Sequence, residues 1–291
     1  VIYFLTINYY STPLVTKLIS SLPDNQRFEY KIIIINNSPD DNSIYQLKNQ
    51  SVLIFDATHN LGFGHACNMG LKWIYEQEPQ GIVWIINPDA YLSENPLDKV
   101  RSFFESNPEI SILGTIIHTP IGEIWFAGGC FNPASGAIAT QDLLTNIETE
   151  YVTCDWVSGC SLIINLRKFD NLPQFDRAYF LYYEDFDLCR RYANQGHTIA
   201  VTKLFGVVHQ PSSITNKYVF RKIKHSSYSY LMTLEKYTNN FILMLRLIRL
   251  LTYAVVLIFI KPQVAFGKFY GVFMYLRRTF SYISSLRSPT S

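Results

Sequence analysis

Three carboxylates fall within four residues in Tyr182-Tyr183-Glu184-Asp185-Phe186-Asp187-Leu188-Cys189-Arg190-Arg191. The apolar run Tyr179 to Tyr183 ahead of them points to partial burial, and a desolvated carboxylate makes a better general base. A helix that starts at Glu184 would place these acids in its first turn, where the helix dipole also favours them for purely structural reasons. About a hundred residues upstream the apolar run Ile82 to Ile86 ends in Asn87-Pro88-Asp89. Asp89 there is a hard oxygen ligand for a divalent cation that bridges two phosphates, although Asn-Pro and Asp-Ala are also ordinary turn pairs. A third run ends in Val207-Val208-His209. Neutral imidazole joins oxygen donors readily around manganese. A cation site and a base in one chain fit an enzyme that moves a group off a diphosphate. The other five histidines form no recognisable ligand set.

The elements that must carry these residues alternate. Val1 to Ile7, Tyr30 to Ile35, Val52 to Phe55 and Ile82 to Ile86 read as strands, and their nearly all-aliphatic runs are expected where both faces of a sheet are covered. Helices are predicted from Thr12-Pro13 to Leu22, over Ser43 to Asn49 and from His65 to Glu76. Strands alternating with helices imply an α/β fold with a mostly parallel sheet and right-handed crossovers. Ligands then sit beyond the carboxyl ends of the strands. The polar breaks at Asn8, Asn36, Gly62 and Asp89 all fall at such ends. Asn60-Leu61-Gly62-Phe63-Gly64 lacks the third glycine of a dinucleotide fingerprint, because Cys67 stands there, but it can bring backbone close to a ligand before a helix. In the second half, Ile112 to Ile117 and Ile199 to Val208 read as strands, Gly122 to Asn132 as a hairpin, and Cys154 to Asn165 as a strand interrupted at Ser158-Gly159.

The chain has 291 residues, 48% of them hydrophobic, enough for one or two packed domains. Its net charge of +2 is unevenly spread. From Lys217 onward twelve Lys and Arg meet a single acid, Glu235, so this stretch carries +11 and the remainder −9. An acidic body with a basic, aromatic tail points to an anionic surface as partner. Phe241 to Ile260 is long enough to cross a bilayer, but Arg246 and Arg249 lie within it, so an interfacial amphipathic helix is the expectation rather than a span. The five cysteines, Cys67, Cys130, Cys154, Cys160 and Cys189, are odd in number and form no C-x-x-C pair, as expected of reduced thiols in the cytoplasm. No secretory leader pattern opens the sequence. No nucleic-acid-binding module accompanies the basic tail.

In order and spacing, Asn60 to Gly70, Ile86 to Leu92, Trp156 to Ile164 and Phe175 to Ser213 resemble the family 2 glycosyltransferases of the GT-A fold, in particular the rhamnosyltransferase-like branch. The resemblance covers about residues 1–213. It implies a nucleotide-diphospho-sugar donor, a divalent cation (Mg2+ or Mn2+) and inversion at the anomeric carbon, with a GT-A catalytic domain expected over 1–216; the basic, aromatic-rich composition that follows points to a helical, membrane-associating extension over 217–291. Asp185 matches the catalytic base, with Glu184 beside it. Asp89 matches the last acid of the metal motif and His209 its downstream metal ligand. Thr6, Asn8, Tyr9, Asn36 and Ser38 match the nucleoside cradle, Gly62, Phe63 and Gly64 the glycine loop, and Asn68 a polar residue near the donor. Two positions depart from the pattern. Asn87, a neutral and weaker ligand, replaces the first Asp of the metal motif. Ile35-Asn36-Asn37 stands where an Asp commonly reads the base. The +11 charge of the tail and its aromatic runs Phe266 to Tyr275 and Phe280 to Ile283 point to a glycan or polyprenyl-linked acceptor at the membrane and to a place on the inner face of the cytoplasmic membrane. The competing classes are a sugar-phosphate nucleotidyltransferase, which would want a glycine-rich basic loop after the first strand, and a non-catalytic carbohydrate-binding scaffold descended from a transferase.

Overall fold

A computed structural model describes residues 1–23, 29–210 and 218–287, with side chains described as far as residue 279. The stretch Pro211-Ser212-Ser213 after His209 and the side chains of Phe280 to Ile283 lie outside the described residues. The chain divides into two compact units. The first comprises Val1–Phe131, Ile138–Phe180 and Glu184–Pro211, and the second Asn132–Ala137, Leu181–Tyr183 and Ser212–Ser291.

The first unit opens with β1 (Ile2–Asn8), α1 (Thr12–Ser21), β2 (Tyr30–Asn36), β3 (Val52–Asp56), α2 (Phe63–Gln77) and β4 (Ile82–Ile86). Then follow β5 (Ala90–Leu92), α3 (Leu97–Ser106), β6 (Ile110–His118), β7 (Ile124–Phe126), β8 (Gly129–Asn132) and β9 (Ala137–Thr140). It closes with β10 (Tyr151–Thr153), β11 (Ser161–Asn165), α4 (Glu184–Ala193) and β12 (Thr198–His209). The main sheet runs β10-β12-β6-β11-β4-β1-β2-β3, with β5 paired to β12 and β7 to β6. Strands β4, β1, β2 and β3 are mutually parallel. β11 lies antiparallel between β4 and β6, and β12 is parallel to β6. Every residue of β1 is buried, as is all of β2 except Lys31, because helices cover both faces. The expected mixed, mostly parallel α/β sheet is therefore the one observed.

Three expected elements differ. Ser43 to Asn49 forms a short 3-10 helix, Asn42–Leu47, capped by Asp41, whose side chain accepts from the Ser43 N–H at 3.0 Å. The single hairpin expected over Gly122 to Asn132 is two. β7 folds back on β6 through a turn in which the Gly122 N–H donates to Thr119 O at 2.9 Å, whereas β8 pairs with β9. The turn between β8 and β9 closes with the Gly136 N–H donating to Asn132 O at 2.8 Å. The interrupted strand Cys154 to Asn165 is a strand only from Ser161, since the chain turns at Ser158.

The second unit is helical: α5 (Val219–Tyr237), α6 (Asn240–Leu257) and α7 (Pro262–Arg287). The Asn239 side chain caps α6 by accepting from the Ile242 N–H at 2.9 Å. Arg246 donates twice to Ser135 O, at 2.9 and 2.7 Å. Leu250, Ala254 and Leu257 form the buried face of α6. The opposite face leaves Phe241, Met244, Leu245, Ile248, Val255 and Val256 exposed. Spaced three, four and seven apart, most of them form one apolar stripe. With mean hydropathy 1.8 over 18 residues, α6 is long and apolar enough to cross a membrane by length and composition.

Candidate active site

The turn that follows β4 meets the end of β12 through β5. His209 lies opposite Ala90 in the antiparallel pairing of β12 with β5, and the Gln210 N–H donates to Asp89 O at 3.0 Å. That pairing carries two residues 120 positions apart into contact: His209 Nε2 lies 3.2 Å from Asp89 Oδ1. Both are buried, at 5% and 8% exposure. His209 Nδ1 is buried without a hydrogen-bond partner among the described residues. The spacing of the two donor atoms suits neighbouring ligands on one cation, whose bonds to N and O run about 2.0–2.2 Å. Among the described residues no cluster of three His, Cys, Asp or Glu forms a metal cage. A cation that keeps waters and takes substrate phosphates needs only one or two protein ligands. Asn87 is fixed differently. Its N–H donates to Cys160 O at 3.0 Å and its carbonyl accepts from the Ala90 N–H at 3.0 Å, which closes the turn that presents Asp89.

Asp185 is anchored next to Cys160. The Gly159 N–H donates to Asp185 Oδ2 at 2.8 Å, and the Phe186 N–H donates to Oδ1 at 2.8 Å. The three-residue stretch Ser158-Gly159-Cys160 thus ties the metal-motif turn and the acidic helix together. The three acids at the head of α4 have separate fates. Asp187 is fully buried and paired with Arg191 at 2.7 Å, a helix-internal ion pair. Asp185 is half-buried, and burial raises its carboxyl above the ordinary range against the pull of the Gly159 and Phe186 N–H groups. Glu184 is 5% exposed, and its Oε2 has no hydrogen-bond partner among the described residues. Burial, and then the neighbouring Asp185, push Glu184 up to about 8. Directly before it, Tyr182 and Tyr183 hold φ of 69° and 65°, a left-handed conformation that bulky side chains rarely adopt.

At the ends of β1 and β2 the amides bond to one another. Asn8 Nδ2 donates to Asn36 Oδ1 at 3.1 Å, and Asn36 Oδ1 also accepts from Ser38 Oγ at 3.1 Å. Asn8 Oδ1 accepts from the Ser11 N–H and hydroxyl at 3.0 Å each. Thr6, Asn8, Asn36 and Ser38 are buried, and Tyr9 is half-buried. The amide network therefore underlies these strand ends, and of the five residues expected to cradle the nucleoside only Tyr9 presents appreciable surface. Asn68 spends both amide atoms on the backbone of Phe175, accepting from its N–H at 2.8 Å and donating to its carbonyl at 2.9 Å. The glycine loop meets protein. Gly62 has φ +79°, and a Cβ there would stand 2.1 Å from Phe180 O. The Phe63 N–H donates to that same carbonyl at 3.1 Å. A Cβ on Gly64 would stand 2.9 Å from Phe175 Cβ. In the structure this loop clamps the 175–180 segment that leads toward α4. Gly159, whose N–H holds Asp185, and Trp125, whose ring lies against His209, escaped the sequence reading; the break at Ser158-Gly159 was the signal for the first.

Residues 4–154 match the family model described as "Glycosyl transferase family 2". The chain belongs to that family. Its relatives include the N-acetylglucosaminyl-diphospho-decaprenol L-rhamnosyltransferase of Mycobacterium tuberculosis, 26% identical over an alignment of 183 residues that covers 54% of this chain and 58% of the relative. The rhamnosyltransferase WbbL of Escherichia coli K12 is 21% identical over 220 residues, covering 72% of this family member and 83% of WbbL. This chain thus spans little more than half the length of the mycobacterial relative. Among solved structures, the mannosyltransferase PcManGT from Pyrobaculum calidifontis, in complex with GDP-Man and Mn2+, superposes with TM-score 0.56 at 12% identity, over 94% of this chain and 86% of that one. That likeness is one of fold and matches the GT-A architecture expected from the sequence.

Proposed function

We propose that this family 2 protein is an inverting, metal-dependent glycosyltransferase that moves rhamnose from a nucleotide-diphosphate donor to a hydroxyl of a lipid-linked glycan. The observation that carries this reading is the contact of Asp89 with His209, with Asp185 tied to the same turn through Gly159 and Cys160. Two rhamnosyltransferase relatives support the sugar. Residues 1–216 are the catalytic domain, and residues 217–291 the basic region that lies on the inner face of the cytoplasmic membrane, apolar stripe inward.

Asp89 and His209 would hold a Mg2+ or Mn2+ ion beside the donor diphosphate. When bound, such an ion offsets the charge that develops on the leaving diphosphate. Asp185 accepts the proton from the acceptor hydroxyl as that oxygen attacks C1 from the face opposite the leaving group. The N–H groups of Gly159 and Phe186 fix the carboxylate, so its geometry is set before the substrate arrives. The amide network at Asn8, Asn36 and Ser38 gives the nucleoside a rigid floor.

The test is a panel of nucleotide-diphospho-sugars screened by thermal shift with Mn2+ and with excess chelator. One donor should raise Tm with Mn2+ only, since a ligand at a hundred times its Kd adds about 2.7 kcal/mol. D89A and H209A should lose that gain. Stabilisation that persists in chelator would remove the metal from the mechanism, and no stabilisation by any donor would remove the transferase reading.

A further inference from the structure

His209 lacks the device that ordinarily orients a metal-binding imidazole. Such a ring usually donates its second nitrogen's proton to a carboxylate or carbonyl, which fixes both tautomer and ring plane. His209 turns Nε2 to Asp89, and its buried Nδ1 has no hydrogen-bond partner among the described residues. Something else must hold the ring.

The register of β7 on β6 shows what does. Ile117 stands opposite Phe126 and His118 opposite Ile124, so one step on β6 faces two on β7. Trp125 is the extra residue of a β-bulge. A bulge bends its strand and re-aims a side chain, and bulges recur beside active sites for that reason. The indole of Trp125 meets the His209 imidazole edge to face, with centroids 4.5 Å apart and planes at 71°. Edge-to-face aromatic pairs at this range attract beyond what their burial alone gives. Trp125 is itself 38% exposed, whereas Trp84 in the core is fully buried. A tryptophan kept at the surface by a bulge contributes little to the core and much to the ring it touches.

We infer that Trp125 is a positioning residue for the metal pair: its indole, aimed by the bulge, braces His209 so that Nε2 stays beside Asp89. The inference rests on the reading of Asp89 and His209 as the cation's ligands. Without the brace the imidazole can rotate, and the cation loses one of two protein ligands for part of the time.

The experiment measures Mn2+ binding to the full chain by electron paramagnetic resonance of free Mn2+, for wild type, H209A, W125A, W125L and W125F. A melting curve is recorded for each. Loss of an outer-shell partner usually costs about 10–100-fold in metal affinity. W125A should weaken Mn2+ binding by about tenfold while its Tm stays near wild type. W125F, which keeps an aromatic ring, should restore affinity to within about threefold of wild type. A metal-dependent rise in donor KM with little change in kcat should accompany W125A. If W125A does not fold, W125L is read in its place. Wild-type affinity in W125A or W125L overturns the brace while leaving the metal pair intact, provided H209A is weakened. Wild type that binds no Mn2+, or H209A that binds it normally, overturns the metal pair and the brace together.

Discussion

The backbone N–H of Gly159 holds Asp185 Oδ2 at 2.8 Å, and the carbonyl of the following residue receives the N–H of Asn87 at 3.0 Å. One short stretch of chain therefore sets the proposed base against the turn that carries the proposed metal ligand. The relationship needs no side chain from Gly159. It also gives Asp185 a defined chemical burden, because both carboxylate oxygens already accept a backbone hydrogen bond.

D185N should for that reason do two things at once. An amide has one acceptor oxygen, so one of the Gly159 and Phe186 N–H groups would face an amide N–H instead, a loss of about 1–3 kcal/mol. Loss of the base should lower kcat by about 10²–10⁴-fold. Donor binding, measured by metal-dependent thermal shift, should survive. Transfer at near wild-type rate with donor binding abolished would reverse the assignment of Asp185.

Glu184 predicts a pH dependence of stability. Its folded pKa of about 8 lies above its ordinary value of 4.5, so the native state holds the proton more tightly than the unfolded chain does. Its stabilising contribution is complete below about pH 4.5 and is withdrawn as pH rises through about 8. Wild type should lose on the order of 4 kcal/mol across that window. E184Q keeps an uncharged side chain of the same shape, and its Tm should fall less between about pH 5 and 9. Asp185 is shifted the same way, so the slope is reduced rather than abolished. Parallel Tm profiles for the two proteins would show that Glu184 is ionised in the native state.

Much of this was legible in the sequence where one residue type carries one physical demand. The aliphatic runs of β1, β2 and β4 announce strands covered on both faces, and Glu184 opens its helix where the acidic cluster said it would. What failed to show was whatever depends on a distant backbone atom. Asn68 looks like a polar residue waiting for a ligand, and nothing near it in sequence reveals that Phe175, 107 residues on, takes both its amide atoms. Trp125 carries no mark of the bulge that turns it, because a bulge is a property of two paired strands. Asp89 and His209 could be joined only through the resemblance, since their contact is made by strand pairing and not by spacing along the chain.

Gly62 tests the difference between a loop that approaches a ligand and one that clamps protein. Gly62 and Gly122 share a positive φ, at 79° and 85°. A Cβ on Gly62 would strike Phe180 O at 2.1 Å, while one on Gly122 would meet nothing within 4 Å. G122A should therefore report backbone strain alone, about 1–3 kcal/mol. G62A should cost clearly more, because the 175–180 segment must move, and should depress transfer by displacing the approach to α4. Thermal melts of the two variants make the comparison. Equal losses would mean that the contact with Phe180 yields freely.

The exposed stripe of α6 is where the proposed membrane contact should lie. Phe241, Met244 and Ile248 project from the face opposite Leu250, Ala254 and Leu257, so charge placed there should leave packing within the helical unit untouched. An interfacial helix binds by buried apolar area plus attraction of basic residues to anionic lipid, each basic side chain near the surface adding about 1 kcal/mol. Full chain should sediment with phosphatidylglycerol vesicles and much less with neutral phosphatidylcholine ones. M244E/I248E should lose at least about tenfold in vesicle affinity with Tm unchanged, since burying two new carboxylates in the interface costs more than the lost methyls and thioether alone. High salt should weaken binding only in part, because the apolar share is not screened. Wild-type sedimentation by the double variant would sink the assignment of this face, and a shift of the wild-type protein to a dimer on gel filtration that M244E/I248E abolishes would hand the stripe to a second copy of the chain.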